Sequence, residues 1–321
     1  MAKPLYLIDA SIYIFQAYFS PHLLVVGEDG RDLSAFLGYA QFLQRLLRHS
    51  RPEQIAVAFD ASLFCGFRHT LYPAYKSNRV LPEPDLERQL QACAQLTAAL
   101  GIEGFSSKVY EADDIIGTLA ARYRQHNVAA SASGVCIVSR DKDLAQLLLQ
   151  DTDYLWDFHA NLRRFPADIV QRYGIRPAQF PDYLGLVGDA VDCIPGVPGI
   201  GPVAASAMLQ HFPNLCVLYA HLDEVASLSF RGAKRAAALL ESHREQALLS
   251  KELATIVVDA CHPEEAFSLC EAGSLRWRTP DIVQIEALLQ ELQLDSISSA
   301  RYLTLLDSLV PADKQERLAP C

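Results

Sequence analysis

The sequence predicts an α/β fold with a mostly parallel central sheet flanked by helices, followed by a helical C-terminal region. In the first half of the chain, short apolar runs alternate with amphipathic segments, which is the pattern of parallel strands joined by helices. From about residue 181 the strand signals fade, and turns with glycine and proline separate mainly helical segments. We therefore predict an α/β domain at 1–180, a helical domain at 181–295, and a C-terminal helix and tail at 296–321.

The individual elements follow from the spacing of the apolar residues. Short apolar runs bounded by turn residues predict strands at Leu5–Asp9, Ile55–Asp60, Val135–Ser139 and Tyr154–Asp157. Apolar residues three and four positions apart predict amphipathic helices at Ala35–Arg48, Leu86–Leu100 and Glu111–Arg124. Gly101 follows the second of these helices, where a glycine C-cap is expected.

The composition is that of a globular protein with a substantial core. The 321 residues are 50% hydrophobic, and the formal net charge is −10. The sequence contains neither a run of roughly 20 apolar residues nor the pattern of a signal peptide, so we expect a cytoplasmic protein without a membrane span. The eight cysteines are scattered without zinc-ligand spacing, so we expect reduced thiols and no zinc site.

Three of the predicted strands lead into aspartates. Asp9 and Asp60 end the first two, and Asp141 follows the third, with Asp143 close behind. Parallel strands share one edge at their carboxyl ends, which is where ligands bind in α/β sheets, so we expect these acids to meet there. For any one of them taken alone, a helix N-cap or turn role is the more common alternative.

Two further acidic groups extend this pattern. Glu111, Asp113 and Asp114 stand at the start of a predicted helix, where the helix dipole also favours acids, so a capping role stays open. Asp189 and Asp192 are three positions apart, and one helical turn would place both on the same face. A solvated turn is the alternative for that pair.

A cluster of nine carboxylates predicts bound divalent cations. Without cations the acids would repel one another or become protonated. Oxygen ligands without neighbouring histidine or cysteine favour Mg²⁺ or Mn²⁺ over zinc. Two such ions about 4 Å apart can activate a water and stabilise the leaving oxygen of a phosphodiester. Phosphodiester hydrolysis is therefore the expected chemistry, and the nine acids would account for most of the charge of −10.

A basic and aromatic segment follows the second strand. No acid occurs between residues 60 and 83, where the chain carries Arg68, Tyr75, Lys76 and Arg79. Such cations can bind phosphates while aromatic rings stack on unpaired bases. A solvated loop whose aromatic side chains enter the core is the alternative.

A glycine-rich turn with Gly196, Gly199 and Gly201 precedes a predicted helix. Its spacing differs from the dinucleotide-binding fingerprint, and no strand precedes it. Backbone N–H groups in such a turn can bind the phosphate backbone of a duplex without distinguishing its sequence. A plain helix–helix turn is the alternative.

Together these segments closely resemble the 5′ nuclease family, especially the N-terminal 5′-3′ exonuclease domain of bacterial DNA polymerase I and its stand-alone relatives. The resemblance covers nearly the whole chain and rests on the segments LIDASIYIFQAYFS, VAFDASLFCGFRHTLYPAYKSNR, YEADDIIGTLA, VSRDKDLAQLL, GDAVDCIPGVPGIG and SFRGAKRAAALL. It implies a PIN-like sheet and a helical arch near residues 61–90. It also implies a helix-hairpin-helix element, or helix-three-turn-helix (H3TH), that binds duplex DNA.

The resemblance also assigns roles to individual residues. The implied metal ligands are Asp9, Asp60, Glu111, Asp113, Asp114, Asp141, Asp143, Asp189 and Asp192. The implied catalytic residues are Lys76 and Arg79, which in relatives contact the scissile phosphate, with Asp113 and Asp141. The implied DNA-binding residues are Arg68, Tyr75, Lys76, Arg79, Gly196, Gly199 and Gly201.

The resemblance implies a structure-specific 5′ nuclease, acting as 5′-3′ exonuclease and flap endonuclease in Okazaki fragment processing or DNA repair. Two Mg²⁺ ions, for which Mn²⁺ can substitute, would support hydrolysis, and a K⁺ ion is implied at the hairpin. The expected ligands are DNA with 5′ ends or 5′ flaps and RNA primer–DNA hybrids. A separate DNA polymerase or ligase is the expected partner, and a monomer is the expected oligomeric state.

Two positions depart from the family pattern. After Gly201, relatives usually carry a charged pair, whereas this chain has Pro202-Val203, which predicts weaker affinity for duplex DNA. Relatives commonly have asparagine where this chain has Cys193, which puts the local turn geometry in question.

Three alternative functions stay open on the sequence. A PIN-domain Mg²⁺-dependent ribonuclease would share the strand-end acids but would not need the glycine hairpin or the basic arch. A small-molecule phosphatase would need neither of these. A non-catalytic protein that binds flap DNA would be expected to have lost acids that this chain keeps.

Overall fold

The computed structural model describes residues 3–20, 24–62, 65–79, 83–126, 133–262 and 264–307. Within these residues, the strands of the central sheet are β1 Leu5–Asp9, β2 Gln54–Asp60, β3 Glu103–Ser107, β4 Val135–Val138, β5 Tyr154–Asp157 and β6 Leu162–Arg164. They are ordered β3-β2-β1-β4-β5-β6. Strands β1 to β5 pair in parallel, and β6 pairs antiparallel with β5 at one edge. The predicted α/β fold class is confirmed.

The sheet separates two apolar layers, because alternate side chains of a strand point to opposite faces. In β1, Leu5 and Leu7 belong to one layer, whereas Tyr6 and Ile8 belong to the other. The same alternation holds along β2 and β4, whose central residues are buried. Burial on both faces explains why these strands stand in the sequence as short continuous apolar runs.

Helices cover both faces of the sheet. The N-terminal helices are α1 Ala10–Tyr18, α2 Ser34–Ser50, α3 Phe67–Leu71, α4 Pro84–Ala99 and α5 Ala112–His126. The helices after β6 are α6 Pro166–Tyr173, α7 Phe180–Val187, α8 Pro202–His211, α9 Leu215–Ala220, α10 Leu222–Val225, α11 Ala233–Ser242, α12 Arg244–Ala254, α13 Ile282–Glu291 and α14 Ser296–Asp307. Short 3-10 helices lie at Asp143–Leu147, Pro177–Gln179, Ala266–Leu269 and Ala272–Leu275. The described helices include none with both the length and the apolar character of a membrane span.

The C-terminal helices share their core with the sheet. Leu184 of α7 and Leu253 of α12 belong to the same apolar layer as α5. Leu288 of α13 and Tyr302 of α14 pack into the opposite layer, which also contains α1, α2 and α4. The division into separate domains at residues 180 and 295 stays a prediction.

The predicted elements differ from the observed ones mainly where an element is short or polar. Strands β1 and β5 have the predicted bounds, and β2 and β4 differ from them by one residue. Strand β3 is not predicted, because it is partly exposed and contains Gly104 and two serines. Strand β6 has only three residues. Helix α1 is also missed, because its residues are mostly apolar and show little amphipathic spacing.

Gly101 follows the end of α4, and its conformation and a close contact require glycine. Its φ is +77°, and its N–H donates to Ala98 O at 2.9 Å, as expected for the predicted C-cap. A Cβ atom at this position would lie 2.4 Å from Arg278 O. Arg278 N donates to Gly101 O at 3.0 Å, so this glycine joins the end of α4 to the segment before α13.

We expect Gly101→Ala to lower the free energy of unfolding by more than ~2 kcal/mol, because it adds a backbone clash to the strain of a positive φ. Gly30 provides a matched control: its φ is +82°, but a Cβ atom there would meet nothing within 4 Å. Gly30→Ala should cost only about 1 kcal/mol. Urea unfolding would measure both values, and equal losses would show that the contact with Arg278 is not important.

Candidate active site

The strand order makes the edge beside β1 the expected ligand site. β2 lies on one side of β1 and β4 on the other, and ligands in such sheets bind at the carboxyl ends of strands next to this switch point. Asp9 ends β1, Asp60 ends β2, and Asp141 follows the end of β4. The fold therefore brings these three aspartates to one edge of the sheet.

A cavity of about 490 Å³ opens at this edge. Its acidic side chains come from β1, β2, the start of α5 and the loop after β4, namely Asp9, Asp60, Glu111, Asp113 and Asp141. Two cations line it from the segment after α3, namely Lys76 and Arg79. Acids that are far apart in the sequence thus share one cavity.

The acids of this cavity repel one another. Burial, followed by the charges of Asp141 and Asp60, raises the pKa of Asp9 to about 7. Burial and the charges of Asp141 and Asp9 raise the pKa of Asp113 well above its usual value. Burial, and then the charge of Asp192, raises the pKa of Asp141. These shifts show that burial and the neighbouring acids together disfavour the ionised carboxylates, and that the surrounding protein does not fully offset these two effects.

A second acidic group, Asp143, Asp189 and Asp192, adjoins the first through Asp141. Burial, the charge of Asp141 and the charges of the other two acids raise the pKa of Asp143 to about 8, although Lys142 opposes this shift. Lys142 Nζ forms an ion pair with Asp189 and lies 3.7 Å from Asp143 Oδ1. Asp143 Oδ1 is buried and accepts no hydrogen bond from the described residues. This oxygen therefore has an acceptor capacity that the described residues leave unused.

Asp60 and Asp141 also hold the turns that follow their strands. Asp60 Oδ1 accepts hydrogen bonds from Ser62 N at 3.2 Å and Ser62 Oγ at 2.8 Å. Asp141 Oδ1 accepts one from Asp143 N at 2.9 Å. The Oδ2 atoms of both aspartates have no hydrogen-bond partner among the described residues. A turn role and a ligand role are therefore compatible, since each side chain has one oxygen for each.

Lys76 and Arg79 place positive charge on the cavity wall. Lys76 is 6% exposed, and its Nζ donates to Glu111 Oε1 at 2.8 Å and lies 3.7 Å from Asp192 Oδ2. Arg79 is half-exposed, and its Nη2 donates to Asp192 Oδ1 at 2.9 Å. Lys76 N also donates to Asp192 O at 3.0 Å, which fixes the base of the predicted arch on the loop of Asp192. Within the predicted arch at 61–90, residues 63–64 and 80–82 lie outside the described residues.

Arg68 and Asp114 lie behind the cavity wall. Arg68 is 3% exposed and donates to both oxygens of Asp114, at 2.6 and 2.8 Å, and to Leu253 O and Thr255 O. Asp114 is fully buried, and its Oδ2 also accepts the N–H of Glu111 at 3.1 Å, as in a capping box. The structure thus brings neither Asp114 to the cavity nor Arg68 to the surface. The two side chains form a buried ion pair, and we propose a structural role for both in place of the predicted ones.

Tyr75 also points inward. It is 3% exposed, and its hydroxyl donates to Glu111 Oε2 at 3.0 Å. Burial acts to raise the pKa of Glu111, but the charges of Lys76 and Arg68 outweigh burial and lower this pKa below its usual value. We therefore propose that Tyr75 holds Glu111 in position, in place of the predicted DNA contact.

The glycine hairpin lies between α7 and α8. Gly196 is buried, its N–H donates to Ser250 Oγ at 3.0 Å, and a Cβ atom there would lie 2.3 Å from Gly188 N. Gly199 and Gly201 are exposed, and Gly201 is the N-cap of α8. Gly199 and Gly201 are therefore placed to meet a ligand, whereas Gly196 allows two backbone segments to approach. The DNA contact of Gly196 stays a prediction.

Asp189 and Asp192 lie in a tight turn, and not on one face of a helix; a turn was the alternative that the sequence left open for this pair. Asp189 and Ile194 exchange backbone hydrogen bonds of 2.8 Å in both directions, which closes the turn. Within it, Cys193 has a φ of +57°, in the left-handed region that asparagine enters more readily than most other residues. The departure from the family pattern at Cys193 therefore adds backbone strain to the turn that presents Asp192.

The donor set of this cavity suits a divalent cation. Among the described residues, no three histidine, cysteine or acidic side chains are arranged to coordinate a single ion. The donors that line the cavity are carboxylate oxygens, which favour hard cations such as Mg²⁺ or Mn²⁺. The raised pKa values of Asp9 and Asp143 indicate negative charge that a cation would offset. The residues present therefore fit the predicted metal chemistry.

The sequence did not predict the apolar wall of the cavity. Ile12, Phe15 and Phe19 line it, and Phe19 is 74% exposed. Asp9, Ile12, Phe15 and Phe19 follow one another at intervals of three, three and four positions. In a helical segment, this spacing directs the side chains to one face, and it is the sequence signal that could have identified this wall. Exposed aromatic rings at an acidic cavity are suited to stacking on unpaired bases.

Comparisons with known proteins assign the chain to a family. A family model described as the 5′-3′ exonuclease N-terminal resolvase-like domain matches residues 4–174, and one described as the 5′-3′ exonuclease C-terminal SAM fold matches residues 175–274. The chain belongs to the 5′-3′ exonuclease family. This confirms the resemblance found in the sequence and makes the protein a hydrolase of the 5′-3′ exonuclease class.

The named relatives of this exonuclease include stand-alone and polymerase-linked proteins. A 5′-3′ exonuclease of Buchnera aphidicola subsp. Schizaphis graminum is 36% identical over 258 residues, which cover 80% of this chain and 87% of that protein. DNA polymerase I of Pseudomonas aeruginosa is 38% identical over 264 residues, which cover 80% of this chain but 27% of the polymerase. DNA polymerase I of Bacillus caldotenax is 33% identical over 320 residues, which cover 99% of this chain and 34% of the polymerase.

Solved structures share the fold. The T5 D15 protein co-crystallized with metal ions has a TM-score of 0.60 and 18% identity, over 96% of this chain and 100% of that chain. The catalytic core of Rad2 in complex with DNA substrate has a TM-score of 0.59 and 16% identity, over 97% of this chain and 93% of that chain. At these identities the likeness shows the fold alone.

We expect millimolar Mg²⁺ to raise the melting temperature of this exonuclease by a few degrees relative to EDTA, because a cation that binds only the folded cavity stabilises it by mass action. Asp141→Asn removes one of the repelling charges, so it should raise the melting temperature in EDTA and reduce the effect of Mg²⁺. Asp223→Asn removes an exposed carboxylate outside the cavity and should do neither. Thermal denaturation provides the measurement, and a wild type that melts at the same temperature in EDTA and Mg²⁺ would contradict a cation site.

We expect Arg68→Met to lower the free energy of unfolding by about 3 to 5 kcal/mol, because it leaves Asp114 buried and unpaired. Arg88→Met is the control, since it breaks a partly exposed pair with Asp85 at 3.2 Å and should cost less than about 1 kcal/mol. Chemical denaturation would compare the two. If Arg68→Met kept wild-type stability and lost only DNA affinity, the structural role would be wrong and the DNA contact predicted from the sequence would stand.

Proposed function

We propose that this exonuclease hydrolyses DNA phosphodiesters at 5′ ends and 5′ flaps, with divalent cations as cofactors. The observation that carries the proposal is the single cavity that combines carboxylates from β1, β2, α5 and the loop after β4 with Lys76 and Arg79. Membership of the 5′-3′ exonuclease family supports the same chemistry. The T5 D15 protein and the Rad2 core, which share the fold, were solved with metal ions and with DNA substrate respectively.

We assign metal binding to the acids of the cavity and of its adjoining turn. This set omits Asp114, because Arg68 occupies both of its oxygens. When bound, two Mg²⁺ ions, or Mn²⁺ in their place, supply a water of lowered pKa and stabilise negative charge on the leaving oxygen. The proposed ligands are Asp9, Asp60, Glu111, Asp113, Asp141, Asp143, Asp189 and Asp192.

Lys76 and Arg79 would bind the scissile phosphate. Burial acts to lower the pKa of Lys76, but the charges of Glu111 and Asp192 raise it well above the usual value, so the ammonium stays charged inside the cavity. Arg79 is half-exposed and can meet a phosphate at the cavity entrance. Cations that are already fixed beside the scissile phosphate can stabilise the negative charge that develops in a phosphodiester transition state.

The surrounding surface would distinguish the unpaired strand from the duplex. Phe15 and Phe19 would stack on bases of the unpaired 5′ strand, while Gly199 and Gly201 would present backbone N–H groups to duplex phosphates. A K⁺ ion at this hairpin, RNA primer–DNA hybrids as substrates, and a polymerase or ligase partner are proposed on the family resemblance. A monomeric state and a cytoplasmic location belong to the same proposal.

We expect the wild type to cut a labelled 5′-flap duplex near the flap junction in Mg²⁺ and not in EDTA. Asp141→Asn should lower the cleavage rate by at least ~10²-fold and Lys76→Ala by ~10- to 10²-fold, since both remove groups that act on the transition state. Asp223→Asn, which lies outside the cavity, should cleave at the wild-type rate.

Other outcomes would favour the alternatives. Wild-type protein that binds the flap but does not cut it in Mg²⁺ or Mn²⁺ would indicate a non-catalytic binding protein. Cleavage of RNA but not of DNA would indicate a PIN-type ribonuclease.

A further inference from the structure

A basic cleft of about 440 Å³ adjoins the acidic cavity. The cleft and the cavity share two lining residues, Ile12 and Asp141. Four of the ten residues that line the cleft are cations, namely Arg140, Lys142, Arg164 and Arg172. Pockets for small molecules are mostly apolar, and the net charge of the chain is −10, so this concentration of positive charge indicates a polyanionic ligand.

Two of the four cations form no ion pair with the described residues. Arg140 Nε lies 3.3 Å from Asp157 Oδ2, and Lys142 forms an ion pair with Asp189. Arg164 and Arg172, in contrast, form no ion pair within the described part of the chain. The cleft therefore carries positive charge that the protein leaves uncompensated.

Regular elements hold the two unpaired arginines in place. Arg163 and Arg164 are neighbours in β6, so they point to opposite faces of the sheet. Arg163 lies over the ring of Trp156 at 4.9 Å, whereas Arg164 pairs in register with Leu155, which lines the cleft. Helix α6 contributes one face to the other wall, through Ile169, Arg172 and Tyr173.

Helix α6 also connects the cleft to the glycine hairpin. Ser206 Oγ donates to Tyr173 O at 2.7 Å, and Gln210 Nε2 donates to Gly174 O at 3.0 Å. Both donors belong to α8, which begins at Pro202 directly after the hairpin. Ser206 lies about 6 Å along the helix axis from Pro202. The cleft is thus bordered by the acidic cavity at Asp141 and by the hairpin helix at α6.

We propose that this cleft binds the phosphodiester backbone of the duplex part of the substrate, between the hairpin and the cavity. This inference rests on the proposed function and adds a binding site to it. A cavity of about 490 Å³ is the size of a small-molecule site, so the duplex must lie outside it. Cations held on rigid elements without acidic partners suit contacts with phosphates that do not depend on sequence.

The start of α8 strengthens this assignment. Pro202 has no backbone N–H to offer a phosphate, and Val203 is 80% exposed and uncharged. The hairpin therefore supplies little charge to the duplex in this chain. The positive charge that the hairpin lacks is supplied by Arg164 on β6 and Arg172 on α6, and α6 contacts the hairpin helix α8.

The test compares Arg164→Gln and Arg172→Gln with Arg163→Gln, which removes the same charge from the other face of β6. Fluorescence anisotropy in EDTA would measure the Kd of a 5′-flap duplex, a blunt duplex and a single strand. We expect the two cleft variants to bind both duplexes about 3- to 10-fold more weakly, with a salt slope that is smaller by about 1. Their Kd for the single strand should change by less than about 2-fold, and so should every Kd of Arg163→Gln.

Cleavage and folding controls complete the design. In Mg²⁺ the cleft variants should show a raised KM for the flap duplex with an unchanged kcat, since they lose binding outside the cavity. Arg172→Lys keeps the charge and should restore most of the affinity. Melting temperatures within about 2 °C of the wild type would exclude misfolding, because about 1 kcal/mol shifts the melting temperature by 2 to 4 °C in a protein near this size.

The outcomes separate this inference from the proposed function. If wild type cuts the flap in Mg²⁺ but the cleft variants bind duplex like Arg163→Gln, the cleft inference is wrong and the proposed function stands. An equal loss on single strand and duplex would also overturn it, because the cleft would then hold the unpaired strand. If wild type never cuts but the cleft variants lose duplex affinity, the proposed activity fails while the binding site is supported.

Discussion

The repulsion among buried carboxylates at the carboxyl edge of the sheet determines how the surrounding segments pack. The pKa values of Asp9 and Asp143 are raised because burial and neighbouring acids both disfavour their ionised forms. The protein offsets part of this charge with cations from connecting segments. Lys76 pairs with Glu111, and Lys142 pairs with Asp189. These pairs hold the segment after α3 and the turn before the glycine hairpin against one site, although the two are more than a hundred positions apart in the chain.

A second layer of contacts ties this site to the C-terminal helices. Arg68 donates to Asp114 on α5 and to two backbone carbonyls at the end of α12, Leu253 and Thr255. The position of the first turn of α5, and with it Glu111, therefore depends on helices that the family models assign to another domain. An apolar layer shared between α5, α7 and α12 has the same effect. The helical region is thus part of the structure that positions the acids, and a truncation before α12 would remove a wall of the core.

The sequence predicts the edge of the site better than its interior. Strand-end acids such as Asp9 and Asp60 are predictable, because a continuous apolar run identifies both the strand and the edge at which it ends. The difference between Asp113 and Asp114 is not predictable in the same way, since neighbours on a helix point about 100° apart and the phase of the first turn depends on what packs against it. The burial of Arg68 depends on contacts with residues near 253–255, and that of Gly196 depends on its approach to Gly188. Such long-range contacts leave no local pattern in the sequence, so residue type and spacing, like the family resemblance, suggested ligand roles for all of these residues.

The negative net charge of the chain is compatible with the proposed binding of DNA, because exposed charges interact over a limited distance. At physiological ionic strength, the Debye length is about 8 Å, so a phosphate responds mainly to the charges closest to it. The acids concentrate in a cavity where a divalent cation can offset them, whereas Arg164 and Arg172 line the adjoining cleft and form no ion pair with the described residues. Neutralising the cavity would remove the main repulsion next to that cleft. By linkage, binding of cations at the acids and binding of a polyanion along the cleft would each favour the other by the same factor. The acids of the cavity would then couple cation binding to DNA binding.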